Sequence, residues 1–197
     1  MSRALHLRHY THADLSGIRQ TLLDVHADSY ADDLDDPFTQ RFPWFVDHWG
    51  EHPAFACVIA YDQDKPAGFA YGAPSSPGHE WWRDHLDPAP AKDTTFAVAE
   101  LMVRPAWRKS GAAHALHETL LAARTEDLAA LLVDTTHPRV QALYERWRYR
   151  KVGERRPFPD SPLYAVMLRH LTSPNTDTAR DSGQGVPRTW GWPRQDR

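Results

Sequence analysis

One stretch limits what this chain can fold into more than any other: Glu-Leu-Met-Val-Arg-Pro-Ala-Trp-Arg-Lys-Ser-Gly-Ala-Ala, from Glu100 to Ala113. A β-type apolar run (Phe96, Val98, Leu101, Val103) stops at Arg104-Pro105. A short basic loop follows, Trp107-Arg108-Lys109-Ser110, and then Gly111 opens a helical pattern with Leu116, Leu120 and Ala123 on one face. Strand, basic loop and glycine at a helix start together make an anion site, because free backbone N–H groups and the positive helix end converge on one spot. Gly111 lets a phosphate approach the backbone with no Cβ in the way. Arg108 and Lys109 add charge-assisted donors. The stretch therefore predicts a phosphate-bearing ligand.

Around it the elements alternate. Leu5 and Leu7 with Arg8 read as a first strand. Thr11 caps the next helix with Asp14 as capping-box partner, and Leu15, Ile18, Leu22 and Val25 share one helix face. An acidic stretch follows (Asp28, Asp32, Asp33, Asp35, Asp36), then a second helical region with Phe38, Phe42, Phe45 and Trp49, broken or restarted at Pro43. Phe55 to Tyr61 and Ala67 to Tyr71 read as a hairpin around residues 62–66, and Pro74 to Lys92 as a long loop carrying Trp81 and Trp82. Ala130 to Asp134 is a short buried strand, and the final strands are expected at Tyr149 to Glu154 and Leu163 to Leu168. From Thr172 the chain turns polar and aperiodic, which predicts a folded domain over residues 1–171 and a disordered tail over 172–197.

Composition narrows the class. At 197 residues the chain suits one well-buried domain. No apolar run approaches the ~20 residues of a membrane helix, and charged and polar residues at the start leave no signal-peptide core. The lone Cys57 sits in an apolar run, which excludes an internal disulfide and suits a reducing cytoplasm. A net charge of −3 gives no footprint for nucleic acid. Histidines at 6, 9 and 12 and at 114 and 117 have no Cys or paired carboxylate to complete a metal set, so no metal is expected. The excess of Arg over Lys and the abundance of Ala point to a high-GC bacterial genome.

The segment Arg108-Lys109-Ser110-Gly111-Ala112-Ala113 resembles the pyrophosphate loop of the GNAT superfamily of N-acetyltransferases, Gln/Arg-x-x-Gly-x-Gly/Ala, and Val103 precedes Arg108 at the family's spacing. A second resemblance lies downstream. The family's Asn-x-x-Ala-x-x-x-Tyr helix followed by Gly-Phe is matched in register by His137 to Tyr144 and then Trp147-Arg148-Tyr149. His137 stands for Asn, Val140 for Ala and Arg148 for Gly. The resemblance spans roughly residues 5–170 and implies a mixed α/β (α+β) fold: a GNAT-like three-layer domain, with a mixed, mostly antiparallel sheet and helices on both faces.

It also implies acetyl-CoA as co-substrate and transfer of its acetyl group to a primary amine by direct attack in a ternary complex. The pyrophosphate would be held by Arg108, Lys109, Ser110, Gly111, Ala112 and Ala113, and the pantetheine arm by the backbone of Met102 and Val103. Tyr144 takes the family position of the proton donor to the leaving sulfur, although its spacing with Val140, Leu143 and Trp147 also reads as core. Glu100 is the candidate base, direct or through a water; a solvent-facing role is the alternative. His137 either contacts the pantetheine or caps the following helix. Asp32 and Asp33 with Trp81 and Trp82 are candidate acceptor contacts, because acids and indole faces suit a cationic amine. A polyamine or aminoglycoside-like small molecule is therefore the expected acceptor. A protein N-terminus or lysine, or a non-catalytic acyl-CoA sensor, are the alternatives. The apolar final strands leave a homodimer open.

Overall fold

The computed structural model describes residues 5–171, so the tail expected over 172–197 lies outside the described residues. Its strands form a mixed seven-stranded sheet in the order β1-β2-β3-β4-β5-β7-β6. The chain divides into two compact units, one of residues to Ala73 with Val98–Ala123, the other of Pro74–Ala97 with the residues from Arg124 onward.

In the first unit β1 (His6–Thr11) pairs antiparallel with β2 (Ala56–Asp62), and β2 with β3 (Lys65–Pro74). The β2–β3 turn places Gln63 at φ 56, the left-handed conformation that short hairpin turns need. The expected capping box is present: the Thr11 N–H and hydroxyl both donate to Asp14 Oδ2, at 2.8 and 2.9 Å. Helix α1 runs Leu15–Ser29 and buries Ile18, Leu22 and Val25. Helix α2 runs Phe42–Gly50. Pro43 lies in its first turn, where no intrahelical N–H is needed, so proline starts this helix and Phe38 lies ahead of it.

Both sheet faces of this unit are buried. Cys57 and Ile59 lie opposite Tyr71 and Phe69, so these four side chains share one face. The Phe69 and Tyr71 rings stack at 5.6 Å, Phe42 of α2 packs on Phe69 at 6.2 Å, and His26 of α1 stacks on Phe42 at 4.0 Å. Val58, Ala60 and Ala70 point the other way and are fully buried, on the face where α3 (Ala112–Ala122) packs on β2.

In the second unit the first residues of β4 (Thr95–Val103) pair parallel with β5 (Leu128–Asp134), from Thr95–Leu128 to Ala97–Ala130. Strand β5 pairs antiparallel with β7 (Tyr164–His170), and β7 with β6 (Arg150–Arg155). Helix α4 spans Pro138–Arg146. Arg148 follows it at φ 71. That is glycine's region, which accounts for a glycine at this place in the family pattern and costs an arginine about 1 kcal/mol.

The structure corrects the expectation for the two tryptophans. Trp82 is fully buried, its indole N–H donates to Thr95 Oγ1 at 3.0 Å, and the Arg83 guanidinium already lies 4.6 Å from its ring centroid. Trp81 is only 4% exposed, and its carbonyl accepts from Arg155. Neither ring offers a face to a ligand: both belong to the core. Trp82→Ala should therefore lower stability by about 3–5 kcal/mol, the usual cost of emptying a large aromatic site. Chemical denaturation checks this; a ligand-contact role would instead leave the unfolding midpoint unchanged.

Candidate active site

The loop between β4 and α3 is held in an unusual shape by its own hydrogen bonds. Ser110 Oγ donates to Trp107 O at 2.6 Å, and the Trp107 indole N–H donates to Asp62 Oδ2 at 3.1 Å, which ties the loop to the end of β2. Lys109 and Gly111 both take left-handed backbone, at φ 63 and 89. This turns successive N–H groups toward one side. Among the described residues, the N–H groups of Lys109, Ser110, Gly111 and Ala113 donate to no acceptor, and Ala112 N–H has only a long contact of 3.4 Å to Ser110 Oγ. A Cβ at Gly111 would meet nothing within 4 Å, so the space in front of it is open. Unpaired amides, a helix start and open space are what a phosphate group requires.

Arg108 behaves differently from the expected phosphate clamp. Its Nε donates to Val103 O at 3.2 Å and its Nη2 to Ser29 O at 3.1 Å, so it braces the loop against β4 and the end of α1. Arg104 N–H donates to Ala67 O at 2.9 Å. In an antiparallel ladder this turns the N–H and C=O of the preceding residue, Val103, away from β3. The carbonyl is taken by Arg108, which leaves the Val103 N–H for a ligand. Met102 differs: its carbonyl lies against Gly68 of β3, so close that a Cβ there would collide with it. The strand backbone suited to a ligand is thus at Val103, and Met102 points its carbonyl into the sheet.

Glu100 is partly buried and has no hydrogen bond or ion pair among the described residues. Burial pushes its carboxyl up to about 8. The other acids are better served or more exposed. Asp28 pairs with Arg104 at 3.1 Å, and Asp36 Oδ2 accepts the Thr39 N–H at 2.7 Å. Asp32 and Asp33 are exposed on the segment between α1 and α2, near Tyr30 and Leu34 in sequence, which are 40% and 43% exposed. Trp44 of α2 is equally open at 43%. It lacks any pattern that marks it in the sequence, because its neighbours Phe42 and Phe45 supply the buried face.

In the second unit, Tyr144 of α4 is 9% exposed and meets Trp147 and Tyr149 edge-on, at 5.2 and 5.7 Å between centroids. His137 precedes α4, and its carbonyl accepts the Val140 N–H at 2.9 Å. Its ring is exposed, with Nδ1 3.7 Å from Asp134 Oδ2. Among the described residues no three His, Cys, Asp or Glu side chains are grouped to hold a metal. No described helix is long and apolar enough to cross a membrane.

The raised Glu100 carboxyl has a sign that can be tested. The folded chain keeps this proton up to about pH 8, whereas an unfolded chain releases it near 4.5, the ordinary glutamate value. Stability contributed by the protonated form is therefore full below the unfolded value and is lost as pH rises through the folded one. Glu100→Gln should raise Tm above pH 8 by about 2–8 °C, after allowing for solvent screening of a partly exposed group, and change it little near pH 4. Calorimetric scans at the two pH values check this.

A family model described as acetyltransferase (GNAT) family matches residues 19–148. Among the curated proteins none matches this chain in sequence. Among solved structures, PH1933 from Pyrococcus horikoshii OT3 superposes with TM-score 0.61 at 17% identity, covering 86% of this chain and all of that one. NAA60 of Arabidopsis thaliana, solved with a bisubstrate analogue, gives 0.60 at 16% over 86% of this chain and 100% of its own. The ribosomal-protein-S18-alanine N-acetyltransferase of Escherichia coli gives 0.58 at 16% over 90% and 100%.

Proposed function

From the premise that this chain belongs to the GNAT family and is an acetyl-CoA-dependent acetyltransferase, we propose that it acetylates the primary amine of a cationic small molecule, with Glu100 as base. The observation that carries this reading is the unpartnered, partly buried carboxyl of Glu100, on the strand that leads into the loop of open N–H groups.

The cofactor supplies an activated acetyl thioester; the chain's own residues do the rest. The N–H groups of Lys109, Ser110, Gly111, Ala112 and Ala113 are the proposed pyrophosphate donors, with Lys109 adding charge. The Val103 N–H is the proposed anchor for the pantetheine amides, or for the thioester oxygen as charge grows on it. A primary ammonium, with pKa near ~10, cannot attack until it loses a proton. Glu100 takes that proton, directly or through a water. The amine nitrogen then bonds to the acetyl carbon, the carbon–sulfur bond breaks, and Tyr144 is the proposed donor of a proton to the departing sulfur. Tyr144's role, and that of His137 as a pantetheine contact, rest on the register of the family pattern. Asp32 and Asp33 are the proposed attraction for a cationic acceptor, now without the indoles of Trp81 and Trp82. A cytoplasmic setting suits the buried, unpaired thiol of Cys57.

One observation favours a second acceptor, the N-terminal amine of a protein. Trp81 and Trp82 are buried and so are not available to a cationic small molecule, while Tyr30, Leu34 and Trp44, at 40, 43 and 43% exposed, give apolar surface that suits a peptide. One of the similar structures carries the name of a protein-directed enzyme, the ribosomal-protein-S18-alanine N-acetyltransferase of Escherichia coli. A radiolabelled acetyl-transfer panel of polyamines, aminoglycosides and free N-terminal peptides separates the two. Labelled polyamine or aminoglycoside is the expected product, and label only on peptides overturns the small-molecule reading.

Two substitutions test the machinery. Gly111→Val places a β-branched side chain at φ 89 and in front of the open N–H groups. It should weaken acetyl-CoA binding at least tenfold by equilibrium dialysis, and unchanged affinity would remove the loop from the account. Tyr144→Phe should lower kcat by about 10²-fold, within the usual range for a lost acid–base group, while acetyl-CoA affinity holds. Unaltered turnover would make Tyr144 a core residue.

A further inference from the structure

His26 lies in the last turn of α1 and is only 8% exposed. Phe42 lies flat on its ring, at 4.0 Å and 1° between planes, and Tyr30 stands 5.0 Å away at 30°. Both are ring-to-ring contacts and serve neither nitrogen at the ring edge. Among the described residues the His26 side chain makes no hydrogen bond and no ion pair. A neutral imidazole has one donor and one acceptor to satisfy, and leaving them unmet in the interior is costly. Burial pushes this group down to about 4, so the ring carries no charge at neutral pH and keeps an accepting lone pair. The same turn is tied to the cofactor loop. Ser29 O accepts from Arg108 Nη2 at 3.1 Å, and Asp28 Oδ2 lies 3.1 Å from Arg104 Nε. These ties set the end of α1 against the end of β4, where the Val103 N–H is proposed to meet the cofactor. Past Tyr30 the chain runs into Asp32 and Asp33, both exposed. An unserved neutral imidazole thus shares one helix turn with the braces of the loop and leads into an acidic approach.

We infer that His26 is a substrate-binding residue: a ring nitrogen accepts an N–H of the incoming amine and holds it beside the end of β4. The chemistry suits a neutral group better than a charged one. A carboxylate at this place would favour the ammonium form and oppose loss of the proton that must leave before attack. An uncharged imidazole accepts the N–H and leaves that proton to the base. Asp32 and Asp33 then attract the cation from a distance, and His26 orients its nitrogen.

The inference rests on the small-molecule amine reading, and the test separates the two claims. The probes are spermidine and kanamycin, a polyamine and an aminoglycoside. Turnover of neither by the native enzyme ends that reading, and this inference with it. For the probe that is acetylated, kinetics are compared with those of His26→Phe, which keeps a ring against Phe42 and removes both nitrogens. The variant should raise KM for the amine about tenfold or more, as loss of a hydrogen bond to a charged ligand does, with kcat changed far less. Acetyl-CoA affinity by calorimetry should hold, and Tm should not fall, since an unmet polar group has gone. An unchanged KM would mean that the nitrogens meet water only, and overturns the role. A lower Tm with weaker acetyl-CoA binding would make His26 a structural residue and overturns it equally. A second measurement needs neither turnover nor a variant. In native protein isotopically labelled in the histidine rings and saturated with CoA, adding the amine should shift the accepting nitrogen of His26 upfield in NMR. A resonance indifferent to saturating amine overturns the contact.

Discussion

Everything proposed for this protein depends on backbone amides that the fold declines to pair. A helix start leaves its first N–H groups without partners in any protein. Here the preceding loop adds more, because Lys109 and Gly111 both take left-handed backbone and so aim further amides at the same side. That arrangement is held from outside. Trp107 is pinned to Asp62, Ser110 to Trp107, and Arg108 to Val103 and Ser29. The basic residue that looks most like a ligand contact is thus one of the braces. A charge-assisted bond to two carbonyls fixes the loop before any anion arrives, so the amides need no reorganisation on binding.

The strand before the loop carries the second constraint. Antiparallel pairing assigns alternate backbone groups of β4 to β3, and among the described residues β4 pairs with β5 from Thr95 to Ala97. Val103 turns its N–H away from β3, and Glu100, three residues earlier on the same strand, is partly buried. A carboxyl in such surroundings is kept protonated at lower pH by the cost of burying charge. The same cost makes it a stronger base once ionised, which suits removal of a proton from an ammonium. Stability and chemistry therefore oppose each other at this one residue, as is common where a charge is held for function.

Much of the fold was legible from local pattern. The capping box at Thr11–Asp14, the apolar face of α1, the hairpin of β2 and β3 and the glycine opening α3 each have a mechanism that acts within a few residues. The mixed, mostly antiparallel pairing came from the family resemblance and the strand order was not read at all, since strand partners far apart in sequence leave no periodic trace. Trp81 and Trp82 were misread for a related reason. They lie in a segment with turn composition and no period, and their burial is decided by distant partners such as Thr95 and Arg155. Pro43 read as a place where the helix breaks or restarts, and the structure shows the restart: α2 begins at Phe42 with the proline in its first turn. Arg108 carries the charge expected of a phosphate contact, but the carbonyls it meets belong to Val103 and to Ser29, and the second is remote in sequence.

The claim on which the others stand is that the open amides of the Lys109–Ala113 loop hold a pyrophosphate. The direct test is a pair of calorimetric titrations of the intact protein, one with acetyl-CoA and one with S-acetylpantetheine, which keeps the thioester and the arm but lacks the pyrophosphate. Saturable one-site binding of acetyl-CoA, with affinity at least 100-fold weaker for S-acetylpantetheine, is the predicted result. Equal affinity for the two, or no binding of acetyl-CoA, would contradict it.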